Sequence, residues 1–159
     1  ETFDKALVFT NTRDGAVALG NFLMGREQRV AVLHGELDQR ERNRVMGLLH
    51  SGRVSILIAT DLAARGLDVP GVQRVFNFDL PRSGDDYLHR TGRTGRAGEP
   101  GVAISLVGSP EWNRMESIAR YLNLRKNIGK RRQPTSAQGV EAGHAPLGKR
   151  RTDAPKTGV

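Results

Sequence analysis

Apolar residues in this chain follow two rhythms that alternate along its length. Short continuous runs at Lys5–Thr10, Arg29–Leu33, Val54–Ala59, Gln73–Phe78 and Val102–Val107 carry many β-branched side chains, as expected of strands buried on both faces of a parallel sheet. Between them the apolar positions recur at helical spacing. Ala16, Leu19, Phe22 and Leu23 follow the capping pair Asn11 and Thr12, and Val45, Leu48 and Leu49 follow Asp38. Gly25 and Ser51-Gly52 supply the stops. A short helix is predicted from Gly84 to His89. Another opens at Ser109-Pro110-Glu111, with proline at its first position and an acid in its first turn, and it puts Met115, Ile118, Ala119 and Leu122 on one face. Strands separated by helices, with no tight hairpins, need crossover connections. The predicted class is therefore α/β, a parallel sheet flanked by helices on both faces, with Val54–Ala59 as a central strand.

In such sheets ligands bind beyond the carboxyl ends of the strands. Thr10 to Thr12, His34-Gly35, Thr60-Asp61 and Asp79 each follow a predicted strand end, so they are expected to share one rim. After Leu124 the character changes to Lys130-Arg131-Arg132, a long polar stretch, and Lys149-Arg150-Arg151. That segment offers too little apolar area to offset an ordering cost of roughly 1–2 kcal/mol per residue. The expected organisation is a folded domain over residues 1–125 and a disordered basic tail over 126–159.

Charge sharpens this division. The chain carries a formal net charge of +8, but the part before the tail is close to balanced and nearly all the excess lies in the tail. Anion binding by the folded part must therefore rest on placed residues and not on a general basic surface. With no cysteine, disulfides, thiolate metal sites and cysteine nucleophiles are excluded. The four histidines show no ligand spacing, so no metal site of the chain's own is expected. No run has the length of a membrane span, which leads to the expectation of a soluble, cytoplasmic protein without a membrane partner.

The candidate chemistry concentrates in His89-Arg90-Thr91-Gly92-Arg93-Thr94-Gly95-Arg96-Ala97-Gly98, where basic residues are set among glycines. Glycines let the backbone approach an anion, and guanidinium forks match phosphate oxygens. Arg93 and Arg96, three apart, can converge on one polyanion if the segment turns. They can equally pair with Asp85, Asp86 or Glu99 on the surface, which is worth little.

Four segments, in order and spacing, resemble the carboxyl-terminal RecA-like lobe of bacterial DEAD-box ATP-dependent RNA helicases. Leu7 to Thr12 looks like that family's motif IV and Gln39-Arg40-Glu41-Arg42 like its Gln-x-x-Arg motif. Ala59 to Asp68 looks like motif V and His89 to Arg96 like motif VI. Thr91 stands where the family more often has isoleucine, a departure expected to face the core. The resemblance implies that Arg93 and Arg96 are arginine fingers reaching a triphosphate held by a partner lobe, and that Gly66 and Asp68 contact the nucleotide, the carboxylate at the ribose. It implies RNA phosphate contacts at Asn11, Thr12, Gly35 and Thr60, and coupling roles for Gln39, Arg42 and His89. Blander roles stand beside these: Asp68 pairing with Arg65 or capping before Pro70, Thr60 and Asp61 satisfying backbone donors, Gln39 and Arg42 solvating a helix, His89 serving as a local hydrogen-bond hub.

A Gly-x-x-x-x-Gly-Lys-Ser/Thr loop and an Asp-Glu-Ala-Asp segment are both absent, so the phosphate cradle and the Mg2+ ligands are expected on an amino-terminal RecA-like lobe of the same protein. The chain is thus read as half of an active site, inactive alone, in a helicase that couples ATP hydrolysis to remodelling of structured RNA. Its wording near Phe76 to Gly84 resembles helicases of ribosome assembly. The alternative is a non-enzymatic RNA-binding module that docks on ribosomal RNA or a partner protein.

Overall fold

In the computed structural model, residues 3–96, 98–124 and 140–141 are described. Strand β1, Ala6–Thr10, is buried along its whole length. Its alternation sends Leu7 and Phe9 to one face and Ala6 and Val8 to the other. Helix α1, Arg13–Met24, follows, then β2, Val30–Leu33, α2, Gln39–His50, β3, Ile56–Thr60, and the single turn α3, Asp61–Ala64. Next come β4, Arg74–Asn77, α4, Gly84–Thr91, β5, Val102–Ser105, a 3-10 turn at Ser109–Glu111, α5, Trp112–Tyr121, and β6, Val140–Glu141.

The sheet order is β2-β3-β1-β4-β5-β6. The first five strands pair in parallel, and β1 lies in the middle of those five with β3 and β4 on its two sides. One face is covered by α2 and α3, whose Val45, Leu49, Ala63 and Ala64 join Leu7, Phe9, Leu33 and Leu57. The other face is covered by α1, where Ala16 packs with Val8, Val30 and Ile58. A third cluster joins α4 to α5 through Tyr87, Met115 and Ile118. A parallel α/β sheet covered on both sides, with all five sequence-predicted strands in place, is what the two apolar rhythms anticipated.

The caps follow the residue chemistry. Thr12 accepts a hydrogen bond from the Gly15 amide at 3.0 Å, Asp38 from Glu41 at 2.7 Å and Ser83 from Asp86 at 3.1 Å, each satisfying a donor that the first helical turn leaves open.

Three particulars differ from the sequence reading, beside the single turn α3, which it did not foresee. Phe22, expected on the buried face of α1, is exposed, and the Arg26 guanidinium stacks 3.5 Å above its ring. Close packing of α1 falls instead at Gly20, where a Cβ would overlap Val32. Ser109-Pro110-Glu111 forms a 3-10 turn that precedes α5, with the Gly108 amide donating to Glu111 at 3.1 Å. β3 is internal, but the middle position belongs to β1. The expected disordered tail lies almost wholly outside the described residues. Its one described piece, Val140–Glu141, pairs antiparallel with Ser105 and Ile104 of β5. A sheet edge recruits a strand through main-chain hydrogen bonds, so this pairing needs none of the apolar area that the tail lacks.

The loop after α4 is fixed by small residues. Thr94 is buried and donates to the Val72 carbonyl at 2.6 Å. Gly95 takes a positive φ of 66°, and a Cβ on Gly101 would overlap the Gly95 nitrogen and the Thr94 hydroxyl. Gly101→Ala should therefore destabilise the protein by roughly 1–3 kcal/mol. Gly47→Ala, on an open stretch of α2, should stabilise it by roughly 0.5–1 kcal/mol. Urea midpoints of the two variants test the contrast, and equal shifts would refute the packing argument.

Candidate functional site

The carboxyl ends of β1, β2, β3 and β4 form the anticipated rim, and a buried arginine organises its centre. Arg90, on the last turn of α4, is 1% exposed. It forks onto Asp61, Nε to Oδ1 at 2.7 Å and Nη2 to Oδ2 at 2.6 Å. Nη2 also donates to Asn11 Oδ1 at 2.8 Å, and Nη1 donates to the Asp79 carbonyl at 2.7 Å and to Asn77 Oδ1 at 3.4 Å. Its guanidinium carbon lies 5.1 Å from the Phe9 ring centroid. A charge taken this far from water is tolerable only when paired and fully hydrogen-bonded. The last residue of β4 and the residues just after β1, β3 and β4 supply those acceptors. Sequence reasoning grouped Arg90 with the phosphate-facing basics and missed this role. The available signal was a set of polar residues, Asn11, Asp61, Asn77 and Asp79, gathered at strand ends with no cation beside them in sequence.

Around this hub the rim segments are tied to one another. The Asn11 amide donates to Asp79 Oδ2 at 2.8 Å, and its side-chain nitrogen to the Leu80 carbonyl at 3.0 Å. Asn11 is therefore half-buried and committed to holding β1 against the β4 end, while Thr12 stays exposed as the cap of α1. Thr60 precedes α3, yet its side chain makes no capping hydrogen bond. Asp61 serves Arg90 and not the backbone donors one would assign to it. Gly35 sits exposed in the turn after β2.

A second group lies beyond α3. Gly66 has a positive φ of 72°, a conformation glycine takes without strain. Arg93 Nη1 donates to the Leu67 carbonyl at 3.0 Å. Arg96 Nε donates to the Gly92 carbonyl at 2.8 Å, and Arg96 Nη1 stands 4.0 Å from Asp68 Oδ1. Both arginines thus face the Gly66 to Asp68 segment, although neither lies in a helix. The ion-pair alternatives resolve differently from either sequence option: the neighbour of Asp68 is Arg96, not Arg65. A guanidinium has five N–H donors, so one carbonyl bond orients it and leaves donors for an anion. Two guanidinium groups beside an exposed carboxylate suit a polyphosphate attached to a ribose.

Arg42 Nη2 donates to the Ala63 carbonyl at 3.1 Å and so ties α2 to α3, while Gln39 bonds Asn43 one turn along its own helix at 2.8 Å. His89 is exposed on the last turn of α4, next to Arg90. Thr91 is half-buried and donates to the Tyr87 carbonyl at 3.0 Å, away from the arginines. Among the described residues no three His, Asp or Glu side chains gather to hold a metal ion, and no helix is long and apolar enough to cross a membrane.

Residues 1–98 match the family model described as helicase conserved C-terminal domain. The ATP-dependent RNA helicase SrmB of Escherichia coli is 47% identical over 118 residues, which is 74% of this chain and 27% of that protein. The crystal structure of E. coli SrmB bound to regulator of ribonuclease activity A superposes with a TM-score of 0.73 at 46% identity, covering 75% of this chain and 70% of that one. Saccharomyces cerevisiae Dbp5 bound to RNA and ADP BeF3 gives 0.70 at 38% identity, covering 76% of this chain and 32% of that one. The chain thus spans about a quarter of the length of the curated helicase it matches. On this agreement of sequence and fold, it belongs to the helicase conserved C-terminal domain family, as the carboxyl-terminal RecA-like lobe of the DEAD-box RNA helicase type.

Proposed function

We propose that this lobe supplies half of a composite ATPase that remodels structured RNA, and that residues 1–125 form the working domain. The observation that carries the reading is the position of Arg90. Its side chain bonds Asn11 and Asp61, which adjoin Thr12 and Thr60 in a group of sites that also takes in Gly35, and its carbonyl accepts from the amide of Arg93, which belongs with Gly66, Asp68 and Arg96 in the other. A shift of either group is transmitted through packed, hydrogen-bonded atoms.

In this reading the first group receives RNA phosphates. Backbone amides and hydroxyls there fix position without reading bases, so RNA choice lies elsewhere, and the basic tail is a sequence-tolerant tether. The second group faces ATP. Asp68 accepts ribose hydroxyls, and Arg93 and Arg96 meet the charge that develops on the transferred phosphoryl. Mg2+ and the phosphate cradle come with an amino-terminal lobe, where the metal would supply charge neutralisation. Arg42, Gln39 and His89 pass the state of one group to the other. Ribosome assembly in the cytoplasm is the setting we favour, on the resemblance of Phe76 to Gly84 to helicases of that process. That Dbp5 has been solved with RNA and a nucleotide analogue together supports a composite site of this kind.

The experiment is a split of defects in the intact protein. Thr60→Val should weaken RNA binding in the ATP-bound state, whereas Asp68→Ala should raise the nucleotide KM. Exchanged defects would reverse the assignment of the two groups. RNA binding that ignores nucleotide altogether, in wild type and both variants, would favour the non-enzymatic module.

A further inference from the structure

One contact on the rim has no part in the arrangement above. Arg13, the first residue of α1, donates through Nη1 to Glu36, which follows Gly35 in the turn after β2. They follow β1 and β2, two strands that do not pair with each other. The order β2-β3-β1 puts β3 between them, and neighbouring strands lie about 4.8 Å apart. The ion pair therefore crosses the carboxyl end of β3, the strand whose last residue is Thr60. A polyanion running from Gly35 over Thr60 to Thr12 meets this pair on its way.

We infer that Arg13 and Glu36 form a displaceable strap across the phosphate path, and that an incoming phosphodiester takes the Arg13 guanidinium from Glu36 as an additional backbone contact. The inference rests on the RNA path proposed above. Three features support exchange over a fixed clasp. Both side chains are well exposed, 50% and 69%, and an exposed ion pair contributes little to stability. A guanidinium offers a phosphate a two-pronged match at least as good as a carboxylate. Asp14 holds Arg13 Nε at 3.2 Å, so the closed cluster carries one net negative charge, a local barrier to phosphate that the departure of Glu36 relieves. Glu36 raises the Arg13 pKa above its ordinary value, and an arginine stays charged at neutral pH after Glu36 has left as well.

The test uses the intact two-lobed protein with a non-hydrolysable ATP analogue and a fluorescent single-stranded oligouridine, with Kd measured across a salt series. Arg13→Gln should weaken binding roughly fivefold and reduce the salt slope by about 0.7 log units, the loss of one single-strand phosphate contact. Glu36→Gln should tighten binding, and that gain should shrink when Arg13→Gln is also present. Unfolding midpoints should match wild type. The strap is overturned if Arg13→Gln leaves Kd and slope unchanged, if Glu36→Gln weakens binding as a lost clasp would, or if its gain persists undiminished without Arg13. Thr60→Val separates the two levels of argument. Loss of affinity there with no response at Arg13 overturns the strap alone, while no response at Thr60 rejects the path itself.

Discussion

Replacing Arg93 or Arg96 by alanine in the intact protein should lower kcat for RNA-stimulated ATP hydrolysis by roughly 10³-fold, with a smaller change in ATP binding. The expectation comes from placement. Each guanidinium is oriented by a backbone carbonyl, Leu67 for Arg93 and Gly92 for Arg96, so little ordering remains to be done when the phosphoryl group arrives. Lysine at either position should recover little, because a point charge cannot keep the carbonyl bond and a two-pronged phosphate contact together. Steady-state rates at saturating RNA and ATP, beside nucleotide Kd, decide the matter. Wild-type turnover in both alanine variants would reduce the pair to surface charge, with Arg96 a mere neighbour of Asp68.

Arg90→Ala should instead act on the fold, at a cost of roughly 3–5 kcal/mol, the penalty for removing one partner of a buried charge pair. Asp61 is partly exposed, at 37%, and water relieves some of its loss. Asn11, Asn77 and the Asp79 carbonyl lose a donor as well, and a large side chain leaves a void beside Phe9. For a domain stabilised by 5–15 kcal/mol this is a substantial fraction. Urea unfolding should show a lowered midpoint with an unchanged slope. Arg90→Met, which fills the space without donating, separates packing from polarity. Recovery of most of the stability by methionine would mean that volume, and not the hydrogen bonds, holds the rim together.

The contrast between these two predictions reflects what a sequence displays. The strands were legible because burial on both faces writes an unbroken apolar run, as in Ile56 to Ala59, and the caps at Thr12 and Asp38 because each serves a donor only three residues away. The Gly/Arg stretch was legible as anion chemistry, but its arginines look alike in sequence. What sorts Arg90 from Arg93 and Arg96 is long-range. Its partners Asn11 and Asp61 lie 79 and 29 residues away, so only the assembled sheet brings them together. The single-turn α3 was missed because one turn carries no periodicity. The exposure of Phe22 was missed because Gly20, without a side chain, lets α1 settle against Val32 and rotates the helix face that periodicity would have buried.

The strand order has a consequence for synthesis. β1 is made first of the five parallel strands, yet both its neighbours, β3 and β4, come later, and β2 pairs only with β3. While the ribosome adds the roughly 50 residues that separate β1 from the end of β3, a matter of about 3–10 s at ordinary rates, the strand that ends up buried along its whole length has no neighbour on either side. During that interval its faces can be covered by α1 and α2, but its two edges stay without their native partners. Nascent chains stalled just short of β3 should therefore be those most prone to aggregate, and the first length at which they become protease-resistant should come only after residue 60 has cleared the exit tunnel.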